Sequence, residues 1–232
     1  MKNRTASVAL MHARDKWTWL YIPWMVLLSS FIVNFAIGLI ARPDNFTTGG
    51  LLSILIYMLV AGMIVIHQTF SFALGLCITR RSYFAGTAAA AVGFILLSAV
   101  LLTVMLLLER ATGAWGVGLH FFEIPYLSDS GAGLALWTFF SLLLFMFFGG
   151  LATGSLFRRF GKKGLFSFFL LCMLGFGGWT AVVTAKNWWR GVGSWLMKLD
   201  FTIVQTTFLL LACALALAAI SYMLLRRSTV QT

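Results

Sequence analysis

Few side chains in this sequence combine a reactive type with a spacing that chemistry could use. His120 and Glu123 stand three residues apart, which in a helical turn would put both on one face. An imidazole and a carboxylate could begin a metal site, but such sites take three or more protein ligands, so no metal is assigned. His67 and Asn34 are polar groups inside long apolar runs. There they either mark a substrate path or hydrogen-bond to a neighbouring helix. Ser155 follows Gly154 and could pair with His67 as its base, but the Gly-x-Ser-Gly surround of an intramembrane serine protease is missing. No G-x-x-x-x-G-K-[ST] loop occurs, because Gly161-Lys162-Lys163 lacks the glycine five residues earlier. There is no H-E-x-x-H, and Cys77, Cys172 and Cys213 lie in three separate apolar runs without a C-x-x-C pair. The chain is therefore read as carrying no catalytic centre and no cofactor of its own.

These residues are positioned by elements built for lipid. Of 232 residues, 61% are hydrophobic and only 10% charged, and the mean hydropathy is +0.96. A soluble domain cannot carry so little charge. The net charge of +11 is scattered between apolar runs rather than laid along a groove, so nucleic acid is excluded as a partner. The expected fold is all-α and polytopic: a polar segment 1–18, a bundle of six transmembrane helices over 19–227, and a short tail, 228–232. The spans run from about Trp19 to Ala41, Leu51 to Ile78, Tyr83 to Leu108, Gly131 to Phe157, Leu165 to Ala185 and Phe201 to Leu225. Each apolar run exceeds the ~20 residues needed to cross the hydrocarbon core.

Charge fixes the expected orientation. With both termini inside, twelve of the seventeen Lys and Arg residues fall in inner segments, among them Arg14, Arg80, Arg81, Arg158, Arg159, Lys162, Lys163 and Arg226. The other five are Arg42, Arg110, Lys186, Arg190 and Lys198, and five of the six acidic residues also lie outside. That is the positive-inside pattern. The N-terminal segment is read as an interfacial helix. Lys186 to Asp200, with Trp188, Trp189 and Trp195, shows helical spacing and is expected to lie in the outer interface. Gly150 and Gly154, four apart, suit close helix packing, within one chain or across a dimer. The small residues Ala85 to Ala91 allow the same.

The shortest inner connection is the most specific feature. Gly75-Leu76-Cys77-Ile78-Thr79-Arg80-Arg81-Ser82-Tyr83-Phe84-Ala85-Gly86 resembles the Gly…Thr/Ser-Arg-Arg-x-aromatic-aromatic-x-Gly segment of bacterial ABC type-2 exporter permeases. About a dozen residues carry the motif, while the layout resembles that family over most of the chain. The resemblance implies that Thr79, Arg80, Arg81, Ser82, Tyr83 and Phe84 form a short cytoplasmic coupling helix seated in a separate ATPase subunit. It further implies two ATPase copies holding ATP and Mg, and a second permease as homodimer or sibling heterodimer. The location is then the bacterial inner membrane, and the cargo an apolar or amphipathic peptide, drug or lipid. The rival readings are a non-transporting assembly or sensor subunit, and a secondary transporter. The latter is weakened by the lack of intramembrane carboxylates and of an inverted repeat.

Overall fold

The computed structural model describes residues 4–41, 46–124, 131–191, 194 and 202–226. It is an all-α protein. Helix α1 spans Arg4–Arg14, and a π-helical turn, Trp17–Tyr21, leads into α2, Ile22–Ala41. The remaining helices are α3, Leu52–Gly75; α4, Arg80–Ala111; α5, Ala132–Ala185; and α6, Ile203–Arg226. Five helical stretches, the first being Trp17–Ala41, are long and apolar enough to cross a membrane. The chain is thus a multi-pass membrane protein by length and composition.

The fourth of these stretches, α5, is 54 residues long. At 1.5 Å per residue a straight helix of that length would reach about 80 Å, against ~30 Å of hydrocarbon. It is broken at Gly161, whose φ of 69° and ψ of −168° belong to glycine alone. The arm before the break is the core of the bundle, with Phe139, Leu143, Phe147 and Leu151 at most 1% exposed. In the arm after it, every residue from Phe166 to Trp179 is exposed.

The first arm of α5 packs on α3 and α6. On α3 the backbones nearly touch. A Cβ on Gly150 would overlap the Leu59 carbonyl, one on Gly62 the Phe147 carbonyl, and one on Gly154 would stand 2.9 Å from the Met63 carbonyl. Gly150 and Gly154 therefore serve contact within the chain, and the dimer role read for them is corrected, since α3 already fills that face. α6 runs beside the same arm, with Trp137 near Phe208 (5.4 Å between rings) and Ser155 Oγ 3.1 Å from Ser221 Oγ.

The small-residue run of α4 is filled by α1. The Thr5 carbonyl and Val8 close over Gly86, where an added Cβ would lie 2.6 Å from each. Trp19 then stacks on Phe94 at 5.3 Å and meets Phe147 at 5.5 Å, inside the bundle. The N-terminal segment is helical, as read, and it lies against α4. Its Val8 and His12 are buried because Gly86 and the alanines after it leave a groove of the right depth.

Candidate functional site

Two corners of the bundle gather polar side chains into clusters. At the end where α3 turns into α4, the connection is only Leu76–Thr79. Thr79 is the N-cap of α4, with φ −69° and ψ 147°, and its Oγ1 accepts from the Ser82 backbone N–H at 3.2 Å. That cap starts α4 at Arg80, so the predicted separate coupling helix is absent: Arg80, Arg81, Ser82, Tyr83 and Phe84 form the first turns of α4 itself. Tyr83 is 1% exposed, with its hydroxyl 2.8 Å from Thr69 Oγ1 and its ring against Phe70 at 5.1 Å. It anchors α4 to α3 and is not free to enter a partner, which corrects its assignment to the coupling set. Phe84 is half-buried against Tyr222 of α6 (5.3 Å), and Arg81 is exposed. Arg80 donates through Nη1 to the Arg226 carbonyl at 2.7 Å, and Arg4 donates to the Cys77 carbonyl at 3.2 Å.

Close to this corner a cavity of about 770 Å³ opens between α3 and α5, lined by Met63, His67, Gln68, Phe157, Arg158 and Lys162 among others. His67 stacks on Phe157 at 6.2 Å. Arg158 donates to Ser71 Oγ at 2.7 Å and lies over the Phe70 ring at 4.8 Å, while its Nε has no hydrogen-bond partner. His67 thus faces a real cavity. Asn34 does not share it: its side chain donates to the Ser30 carbonyl of its own helix at 2.8 Å. Arg158 was read only as a loop charge, because sequence alone does not show how far α5 continues before Gly161.

The opposite end is organised by Glu109, in the last turn of α4 and 1% exposed. The chain after α4 folds back over it through Gly113, Ala114, Trp115, Gly116 and Gly118, all at positive φ. Leu119–His120 then pairs in parallel with Phe46–Thr47. Glu109 Oε2 accepts from Trp115 Nε1 (3.1 Å) and from the backbone N–H groups of Phe121 (3.0 Å) and Phe122 (2.9 Å). Its Oε1 accepts from the Glu123 N–H at 3.1 Å. His120 Nδ1 lies 2.7 Å from Glu123 Oε2 and 4.0 Å from Glu109 Oε1, and Arg110 Nε lies 3.8 Å from Glu123 Oε1. Phe31 covers the assembly, its ring 5.0 Å from Trp115 and 5.3 Å from Phe121. The sequence reading found His120 and Glu123 but missed Glu109, whose only signal was a carboxylate closing an apolar span.

Trp188 and Trp189 follow a turn at the end of α5 and are exposed. Lys186 Nζ sits 4.7 Å over the Trp188 ring, and Trp189 Nε1 donates to Thr184 Oγ1 at 3.0 Å. Trp195 and most of the amphipathic segment after it lie outside the described residues.

No protein-family model matches the chain, and no curated protein or solved structure matches it. What is established is the class: a helical, multi-pass membrane protein with a basic corner at one end and a buried carboxylate hub at the other.

Proposed function

We propose that this chain is the transmembrane subunit of an ATP-binding-cassette exporter, with six spans, both termini cytoplasmic, and hydrolysis on a partner chain. Gly161 supports six spans over five. The arms of α5 on either side of it are about 43 and 36 Å long at 1.5 Å per residue, and each alone can cross a bilayer.

One observation carries the reading: the Thr79–Phe84 corner ties four helices together. α3 and α4 meet there, Arg4 of α1 bonds to the turn, and Arg80 bonds to the end of α6. A push on this corner is delivered to all four. Arg81 is exposed at its tip and offers a planar fork that suits bidentate pairing with a carboxylate on a partner. The cavity beside it combines apolar walls with His67, Gln68, Arg158 and Lys162, which favours an amphipathic cargo over a sugar. A second permease, homodimeric or sibling, would cover the exposed arm after Gly161 rather than the Gly150–Gly154 seam.

The test is purification in gentle detergent with a Walker-A ATPase encoded beside it, followed by transport in vesicles. Parent protein is expected to retain the ATPase and move an amphipathic cargo with ATP. Phe84→Ala is expected to insert normally and lose ATPase retention or coupling. Absence of any ATPase partner, together with ATP-independent behaviour, sinks the exporter and leaves an assembly or sensor subunit.

A further inference from the structure

We propose that Glu109, His120 and Glu123 form a three-ligand binding site for a transition-metal dication of the zinc class. The site does not depend on the exporter reading.

The donor set is one imidazole nitrogen and two carboxylate oxygens, with ligand atoms all within 4.8 Å of one another. Bonds of about 2.0–2.1 Å in a tetrahedral shell put ligands roughly 3.3 Å apart. The two separations involving His120, 2.7 Å to Glu123 and 4.0 Å to Glu109, bracket that value, so small rotations of His120 and Glu123 suffice.

Lone-pair accounting shows which atom is available. Glu109 Oε2 already accepts three N–H groups, from Trp115, Phe121 and Phe122. Oε1 accepts one, from Glu123. A carboxylate oxygen has two lone pairs, so Oε1 keeps one. The N–H groups fix the carboxylate in orientation, as outer-shell donors do for metal ligands. Arg110 sits beside Glu123 Oε1, which leaves Oε2 as the ligand oxygen. His120 Nδ1 now lies within hydrogen-bond distance of Glu123 Oε2. To bind a dication the imidazole is neutral, with its single proton on Nε2 and its Nδ1 lone pair on the metal in place of the hydrogen bond to Glu123. Two carboxylates balance the dication's charge.

The fourth position is open. A cavity of about 520 Å³, bounded in part by the side-chain-free Gly113, Gly116 and Gly118, lies against these three ligands. It has room for a water or an exogenous ligand, the arrangement of three protein ligands plus one open site.

The experiment uses the full chain in detergent, stripped with a chelator and titrated with zinc chloride. Zinc content and calorimetry are measured, and cobalt(II) is added separately for its visible spectrum. One zinc per chain with micromolar or tighter affinity is expected, and cobalt should give the absorption of a tetrahedral N/O site. His120→Ala leaves all four hydrogen bonds to Glu109 in place and is expected to weaken zinc at least 100-fold, with the chain still folded by circular dichroism. Glu123→Gln should weaken it similarly. Zinc binding below 0.1 per chain overturns the proposal. So does parent-like affinity in His120→Ala, which would assign the metal to other residues.

Discussion

The two ends of the bundle handle charge in opposite ways. At the end around Glu109, basic side chains and carboxylates meet each other: Arg110 pairs with Glu123, and His120 lies against both Glu123 and Glu109. At the end around Thr79, Arg4, Arg80 and Arg158 finish on backbone carbonyls or a serine hydroxyl, with no carboxylate paired to them among the described residues. The first end gathers its carboxylates into one cluster with His120 and Arg110, the group proposed above to hold a dication. The second leaves positive charge without a partner carboxylate among the described residues, which suits an aqueous face, an anionic leaflet or an acidic partner. Stability should therefore reside in the charges of one end and interaction in those of the other.

The largest expected effect tests that division directly. Glu109→Ala strands four N–H donors and removes the charge that holds Phe121 and Phe122 in place. A loss of about 3–5 kcal/mol is expected, seen as a drop of roughly 10 °C in the thermal midpoint. Arg158→Leu removes one hydrogen bond and one cation–ring contact, about 1 kcal/mol in all. Equal losses from the two variants would erase the contrast between the ends.

An intermediate effect comes from α1, which lies outside the five candidate spans. His12 is 2% exposed. Burial pushes its pKa down to about 4, with Asp15 opposing that shift. Its neighbours are Thr87 Oγ1 at 3.1 Å and the Trp19 ring at 5.5 Å. The docked imidazole is neutral, whereas the undocked one titrates near its ordinary value of 6.5. More protons bind on undocking, so docking of α1 is at full strength above about pH 6.5 and weakens as pH falls toward 4. The loss reaches up to about 3 kcal/mol. A nitroxide at Leu10, on the groove between α1 and α4, should gain mobility over that range. His12→Gln should abolish the pH dependence. Constant mobility from pH 7 to 4 in the parent would remove His12 from the docking of α1.

The sequence made the membrane class and the clustering of charge legible, because both depend on composition and order. Packing was not legible, and α5 shows why. Its two arms are alike in apolar composition, yet Phe147 is buried and Phe176 is 69% exposed. In water, hydrophobicity separates inside from outside; against lipid it does not. Glycine contact is a better signal, and the Gly150–Gly154 spacing was indeed a packing seam, although spacing alone could not name α3 as its partner. Glu109 was hidden for another reason. Its partners are mostly backbone N–H groups, which every residue carries and no motif records. Tyr83 was misassigned because an aromatic pair beside two arginines reads as one surface, whereas the helix begun by Thr79 turns Tyr83 inward and Arg81 outward.

The smallest expected effect on stability carries the most about function. Arg80→Lys with Arg81→Lys keeps both positive charges, so orientation in the membrane should not change. A lysine at 80 can still reach the Arg226 carbonyl, now 2.7 Å from the guanidinium, and Arg81 makes no hydrogen bond within the described chain that its loss would forfeit. A change of no more than a few tenths of a kcal/mol is expected, as for surface substitutions generally. What disappears is the planar, bidentate fork. If the basic corner is built to engage a partner's carboxylate, the double variant should insert and fold like the parent while its retention of the ATPase falls about tenfold or more. If charge alone matters there, retention and transport will match the parent. The corner is then a topogenic signal, and the positive charge at this end has no receiver on a partner subunit.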